Sequence, residues 1–133
     1  MAIFVMKNAS VTINSVDLSS YCSSVAVDYN VDAVPADVMG TAYHVFQPGL
    51  ENSTVTVTLN QDFAATKTEA TIFPLVGTTT TVLVKAESGA VSATNPSYTC
   101  TGFLASSQPV NGAVGDLASM QLVFTGRVVK ATT

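Results

Sequence analysis

Charged residues are scarce in this sequence. Only 11% of the 133 residues are Asp, Glu, Lys or Arg, whereas about 25% is ordinary for a soluble domain. Hydrophobic residues make up 47%, so part of the surface has to be apolar or hydroxylic. A chain this apolar can offset its ordering entropy by burial, which argues against disorder. A surface so poor in charge favours contact with neighbouring molecules.

Positive charge is the scarcer sign. Five Lys and Arg stand against nine Asp and Glu, for a net charge of −4, and no basic patch is available to neutralise phosphates. Specific nucleic-acid binding is therefore not expected. The acids are concentrated in the first half, where Asp28, Asp32 and Asp37 lack the Asp/Asn and Gly pattern of a calcium loop. We interpret them as a solvated acidic rim, which would repel DNA.

Residues that carry chemistry are nearly missing. His44 is the single histidine, there is no tryptophan, and the two cysteines, Cys22 and Cys100, have no CxxC spacing. A catalytic triad would have to use His44, and no nucleophile motif accompanies it. Two cysteines are too few for a disulfide scaffold, and both are expected to be small buried hydrophobes. We predict no enzymatic activity, no metal and no cofactor.

Long hydrophobic runs are also missing. No stretch approaches the length of a membrane span, and the apolar start Met1–Met6 has no basic leader. The sequence therefore predicts no membrane association and no signal peptide, with synthesis in the cytoplasm.

Alternation of apolar and polar side chains is the main pattern that is present. In Ser53–Asn60, valines and a leucine alternate with threonines, as in a strand with one buried face. Similar alternation predicts strands at Ser10–Ile13, Ser23–Tyr29, Thr79–Lys85, Tyr98–Leu104 and Ser119–Phe124. We expect one domain over residues 1–133 with a mainly β fold, a two-sheet sandwich or barrel of six to eight antiparallel strands.

One segment has helical periodicity instead. The residues that recur at spacings of three and four are Ala65, Glu69, Ile72, Phe73 and Val76. This spacing predicts one short flanking α-helix, about Ala64–Val76, with an apolar stripe. Asp62 can cap its start, and Pro74 lacks an amide donor, so the helix should end or kink near Phe73.

The segment of residues 30–50 has no clean period. It contains two prolines and two glycines among many apolar residues, and we interpret it as a long inter-strand loop. A loop of this length in a compact domain is usually functional, and its apolar side chains have to be covered. Two explanations stay open: the segment folds back over its own core as an irregular strand pair, or it docks on an adjacent subunit.

Six stretches carry a resemblance to a known family. In order, they are Val11–Ser20 (VTINSVDLSS), Pro48–Glu51 (PGLE), Val57–Phe63 (VTLNQDF), Ala70–Gly77 (ATIFPLVG), Val91–Tyr98 (VSATNPSY) and Val114–Ala118 (VGDLA). Taken together, and mainly through their order, they resemble the tail-tube (major tail) proteins of long-tailed bacteriophages, the siphoviruses.

This resemblance implies a structural virion protein that works with copies of itself and with other phage tail or head proteins. Six copies would close into a ring, and rings would stack into a hollow tail tube that is assembled in the bacterial cytoplasm and passes DNA without binding it specifically. Asp28, Asp32 and Asp37 are then the candidates for an acidic lumen. The candidate subunit-interface residues are Val34, Val38, Met39, Tyr43, His44, Phe46, Pro48 and Leu50.

Two alternatives fit the same composition. Capsid decoration proteins and head–tail joining proteins are also small and rich in β structure. A β-sandwich module that binds carbohydrate or protein would share the strand pattern, although the aromatic residues here are scattered singly along the sequence.

Overall fold

The chain is mainly β, as predicted. The computed structural model describes residue 3, residues 5–64 and residues 68–133, and these form seven strands and one short helix. The strands are β1 (Ser10–Ile13), β2 (Val16–Asp17), β3 (Cys22–Pro35), β4 (Phe46–Asn60), β5 (Thr79–Lys85), β6 (Ser97–Ser107) and β7 (Ser119–Ala131). The prediction of six to eight antiparallel strands with one short helix is confirmed.

All seven strands belong to one antiparallel sheet with the order β2-β1-β5-β6-β7-β4-β3. The predicted two layers are therefore two parts of a single continuous sheet, because β6 pairs with β5 on one side and β7 on the other without a break. Within the described residues the sheet stays open, with β2 and β3 at its edges. Val27 on β3 and Val84 on β5, four positions apart in the order, line the same cavity. The sheet must therefore curl so that its two ends face each other.

The core lies between the facing parts of this curled sheet. Val55, Val57 and Leu59 on β4 are at most 1% exposed, and they pair in register with Phe124, Leu122 and Met120 on β7. The intervening threonines of β4 point to the other face, as the period-2 alternation predicted. Each fully buried aliphatic side chain contributes about 1.5–3 kcal/mol, so this register is strongly preferred over a shift by one residue.

The segment of residues 30–50 is not the irregular loop that its composition predicted. The strands β3 and β4 continue into it and pair from Asn30↔Asn52 to Pro35↔Phe46, beyond the last pairing of β4 with β7 at Ser53. We call this two-stranded extension, residues 30–52, the arm, and residues 36–45 its tip. Prolines are tolerated because each strand of the arm has one unpaired edge, where no amide donor is needed.

The helix is shorter than predicted. In the described residues it comprises α1 (Thr68–Ile72) and one 3₁₀ turn, Phe73–Leu75, while Ala65 and the rest of residues 65–67 lie outside the described residues. Ile72 of the predicted apolar stripe is fully buried. Beyond Ile72 the prediction is wrong, because Phe73 and Val76 are about half exposed. Pro74 at the start of the 3₁₀ turn accounts for the tightening.

Asp62 acts close to the predicted helix start. Its Oδ1 atom accepts a hydrogen bond from the Ala64 amide at 2.9 Å, and its backbone carbonyl accepts from Thr68 Oγ1 at 3.1 Å and from the Glu69 amide at 3.4 Å. Asp62 therefore holds the chain on both sides of residues 65–67.

Two glycines allow β6 and β7 to approach closely. Gly102 on β6 lies opposite Gly126 on β7, and a Cβ atom on either would lie 2.6 Å from the Cα atom of the other. Gly126 is also the residue at which the pairing of β7 with β4 ends. The close approach thus marks the point where the arm leaves the sheet.

We expect Gly126→Ala to lower the free energy of unfolding by about 3 kcal/mol, because the methyl group would force the two backbones apart. Urea denaturation followed by circular dichroism measures the change. Gly89→Ala is the matched control: the nearest atom to its new Cβ would be 3.9 Å away, and its stability should change by less than about 0.5 kcal/mol. Equal stability of the two variants would contradict the close approach.

Candidate subunit interface

The arm carries exposed apolar side chains along its whole length. Leu50 is 81% exposed, Tyr43 74% and Phe46 56%, and Met39 at the tip is fully exposed. Val34 and Val38 are also exposed, as are His44 and Pro48. All eight predicted interface residues therefore lie on one projecting element of the monomer. Large exposed apolar patches of this kind mark interaction surfaces.

Hydrogen bonds order the tip of the arm. Asp37 Oδ2 lies 2.9 Å from His44 Nδ1, and Asp37 Oδ1 accepts a 2.6 Å hydrogen bond from the Val45 amide. The Ala36 amide donates to the Val45 carbonyl at 2.7 Å, and Thr41 Oγ1 donates to the Val38 carbonyl at 2.8 Å. The apolar side chains of the tip are therefore presented by a defined turn.

These hydrogen bonds, led by the one from His44 and followed by that from the Val45 amide, hold the pKa of Asp37 below its usual value of 3.8. Since the folded-state pKa is depressed, the contribution of the Asp37 carboxylate is present above pH 3.8 and is lost as the pH falls through the lower folded-state value.

We expect the Val45 amide resonance to shift on acidification with a midpoint below pH 3.8, because protonation of Asp37 removes the charged acceptor of that amide. A pH titration followed by NMR measures the shift. Asp37→Asn has no carboxyl group to titrate and should abolish it. A midpoint at or above 3.8 would contradict the observed tip geometry.

The three acidic lumen candidates do not form one cluster. Asp28 pairs with Thr54 in the regular part of the hairpin, Asp32 lies at a register shift between Val31 and Ala33, and Asp37 lies at the tip. All three are exposed. The three negative charges are therefore distributed along the hairpin, from the sheet to the tip of the arm.

Sequence reasoning did not assign a role to the exposed face of β3, β4 and β7, which we call the hydroxyl face. The pairing registers place on it Ser24, Ala26, Asp28, Thr54, Thr56, Thr58, Gln121, Val123 and Thr125. Asp28 is the one charged member of this set. The alternating threonines of residues 54–58 were the signal available in the sequence, but pairing with β3 and β7 was needed to reveal a continuous surface.

Sequence reasoning also missed a cavity of about 540 Å³. It lies beside Val128, beyond the point where β4 separates from β7, and its apolar lining includes Val25, Val27 and Tyr98. Lys85 and Lys130 are also among the lining residues. Among the described residues, the lining contains neither a carboxylate nor a histidine.

The residues considered for chemistry are separate from one another. Cys100 is buried in the core as predicted, Cys22 is half-buried, and both are free thiols whose pKa is raised by burial. The side chain of His44 is 81% exposed. In the described part of the chain, no three His, Cys, Asp or Glu residues come together as a metal site would require. No helix there has the length and hydrophobicity to cross a membrane.

Comparison with known proteins gave matches among solved structures. No protein-family model matches the sequence, and no curated protein matches it. A chain in the virion of a native gene transfer agent particle is 11% identical, with a TM-score of 0.71 over 98% of this chain and 99% of that one. A chain in the sheath/tube terminator of an extracellular contractile injection system, in the extended state, is 13% identical, with a TM-score of 0.71 over 97% and 96%.

A third similar chain comes from the structure of a particle tail. The chain in the tail of an empty gene transfer agent particle with C6 symmetry is 12% identical, with a TM-score of 0.61 over 85% of this chain and 82% of that one. The present chain therefore has the fold of proteins found in phage-like tails and contractile injection systems. The predicted resemblance to the tail-tube family is confirmed at the level of the fold.

Proposed function

We propose that this protein is a non-enzymatic tail-tube subunit, copies of which associate into rings that stack into a hollow tube. The observation that carries the proposal is the exposed apolar arm, which projects from a fold shared with tail and tube assemblies. An apolar projection with an ordered tip suits a contact with another copy. The eight arm residues from Val34 to Leu50 are the proposed contact residues.

Ring closure accounts for the open sheet. The edge strand β3 has one unpaired side, and an exposed edge strand is prone to pair with another chain. Closed cyclic symmetry would cover such edges with neighbouring copies. The C6 symmetry of the similar tail supports six copies per ring.

The hydroxyl face is the proposed wall of the lumen. Threonine and serine side chains make a surface that is polar but almost uncharged, and Asp28 adds negative charge on the same side. Asp32 and Asp37 would extend the acidic character toward the next ring. None of the nine residues of the hydroxyl face is a cation, and the first positive charge beyond them on β7 is Arg127, two residues after Thr125. Phosphates would therefore meet little positive charge on this face, and DNA could pass without being held. The place of such a subunit is the virion tail, with assembly in the bacterial cytoplasm.

Electron microscopy of the purified protein tests the proposal. We expect rings and tubes with a central channel, and class averages give the ring symmetry. Persistently monomeric particles at high concentration would contradict it. A similar fold also occurs in a sheath/tube terminator, which favours a second candidate function in which the protein caps a tube. A capping protein would form single rings that do not elongate.

A further inference from the structure

A second exposed apolar surface lies far from the arm, in the loop between β6 and β7. We call residues 108–118 the β6–β7 loop. Val114 is fully exposed, Val110 is 86% exposed and Leu117 is 75% exposed. The sequence pattern assigned no role to this loop, and none of its residues belongs to the arm interface proposed above.

The β6–β7 loop is held in a defined conformation. Gln61 holds both ends of the loop. Its side-chain Nε2 atom donates a hydrogen bond to the Pro109 carbonyl at 2.6 Å, and its backbone N–H donates to the Ala118 carbonyl at 3.0 Å. Within the loop, Asn111 Nδ2 donates to Gln108 Oε1 at 3.0 Å. Apolar side chains on a pre-ordered loop lose less conformational entropy on binding than those on a mobile one.

The loop and the arm tip lie at opposite ends of β4. The tip ends where β4 begins at Phe46, and the loop is fastened to Gln61, the residue after β4 ends at Asn60. A strand of this length spans on the order of 45 Å. The two surfaces therefore cannot touch within one copy, but they can meet between copies that stack along β4.

Both surfaces are also poor in charge. Asp116 is the one formally charged residue of residues 105–126, and the tip has one, Asp37, which hydrogen-bonds to His44 and the Val45 amide. Contact between them would desolvate few charges, which is the main penalty in burying a surface.

We propose that the β6–β7 loop is the docking surface for the arm tip of a second copy of this chain in the next ring. The inference rests on the proposed tube-forming function. Two different patches on opposite ends of one molecule make a head-to-tail contact, and such a contact between stacked copies propagates as an open filament because it does not close on itself. Each ring would then present tips on one side and receiving loops on the other, which gives the tube a direction.

Cross-linking between introduced cysteines tests this pairing in assembled protein. We expect the double variant Met39→Cys with Val114→Cys to give a ladder of covalent multimers with a bis-maleimide reagent. Each single variant is a matched control that also reports any reaction at Cys22, and neither should give a ladder beyond a dimer. Wild-type-like tubes of the double variant without a longer ladder would overturn the proposal.

Charge substitution gives an independent readout. We expect Val114→Asp to leave the monomer folded by circular dichroism and to reduce tube elongation at least tenfold by light scattering, with rings remaining. Val114→Ile keeps an apolar side chain and should elongate normally. Normal elongation of Val114→Asp would overturn the loop as docking surface. If the wild-type protein itself forms no rings or tubes, the proposed function fails instead.

Discussion

Phe46→Asp is expected to abolish assembly while the monomer stays folded. Phe46 is 56% exposed and lies at the end of the arm, opposite Pro35, so a carboxylate at this position remains hydrated in an isolated copy. In a contact between copies the same carboxylate would be buried without a partner, which costs about 3 kcal/mol or more. Each contact would then be weakened about a hundred-fold.

Analytical ultracentrifugation and electron microscopy measure this loss of assembly. Phe46→Leu is the matched control, because it keeps an apolar side chain at the same place and should form rings and tubes like the wild type. Circular dichroism and thermal unfolding should show all three proteins folded. Tubes formed normally by Phe46→Asp would mean that the arm is not the interface.

Val57→Asp is expected to destroy the fold itself. Val57 is fully buried and pairs with Val25 on β3 and Leu122 on β7, at the centre of the packed side chains. Burial of an unpaired carboxylate there costs several kcal/mol. The total stability of a domain is only about 5–15 kcal/mol, so little folded protein should remain.

Thr56→Asp provides the contrast for this second prediction. Thr56 is the neighbouring residue of β4 but lies on the hydroxyl face and is partly exposed, so its variant should unfold within about 1 kcal/mol of the wild type. Urea denaturation followed by circular dichroism measures both. A soluble Val57→Asp protein with cooperative unfolding would mean that the register of β4 is shifted by one residue.

Neighbouring copies are expected to affect these two variants differently. The effect of Phe46→Asp appears only when copies meet and should therefore depend on protein concentration. The effect of Val57→Asp is a property of a single chain and should not depend on concentration. Measurement over a range of concentrations therefore separates interface residues from core residues.

The strands were predictable because local pattern and tertiary burial agree. Ser53–Asn60 alternates valine and leucine with threonine, and the structure buries the first set and leaves the second toward the surface. The strand predictions at Thr79–Lys85 and Ser10–Ile13 match the observed bounds. In such segments, side-chain period and β-branched content favour the same conformation.

The helix and the arm were harder to predict, for different reasons. The helical stripe is local, but whether it is buried depends on which parts of the curled sheet lie beneath it. Of the stripe residues that the structure describes, only Ile72 enters the core. In the arm, Pro35 and Pro48 look like loop residues. They are compatible with strands there because each strand of the arm has an unpaired edge. The local sequence does not show which strand edges are unpaired.

The sequence by itself determined the class of structure and the character of the surface. The alternation with a period of two determines which side chains can share a face of a strand. The low content of charged residues determines that contact with another copy desolvates few charges. Only the tertiary structure decided that the sheet is one curled layer, that residues 30–52 project as an arm, and that a second apolar loop lies at the other end of β4. These depend on pairings between residues far apart in the chain, and a local pattern constrains such pairings without specifying them.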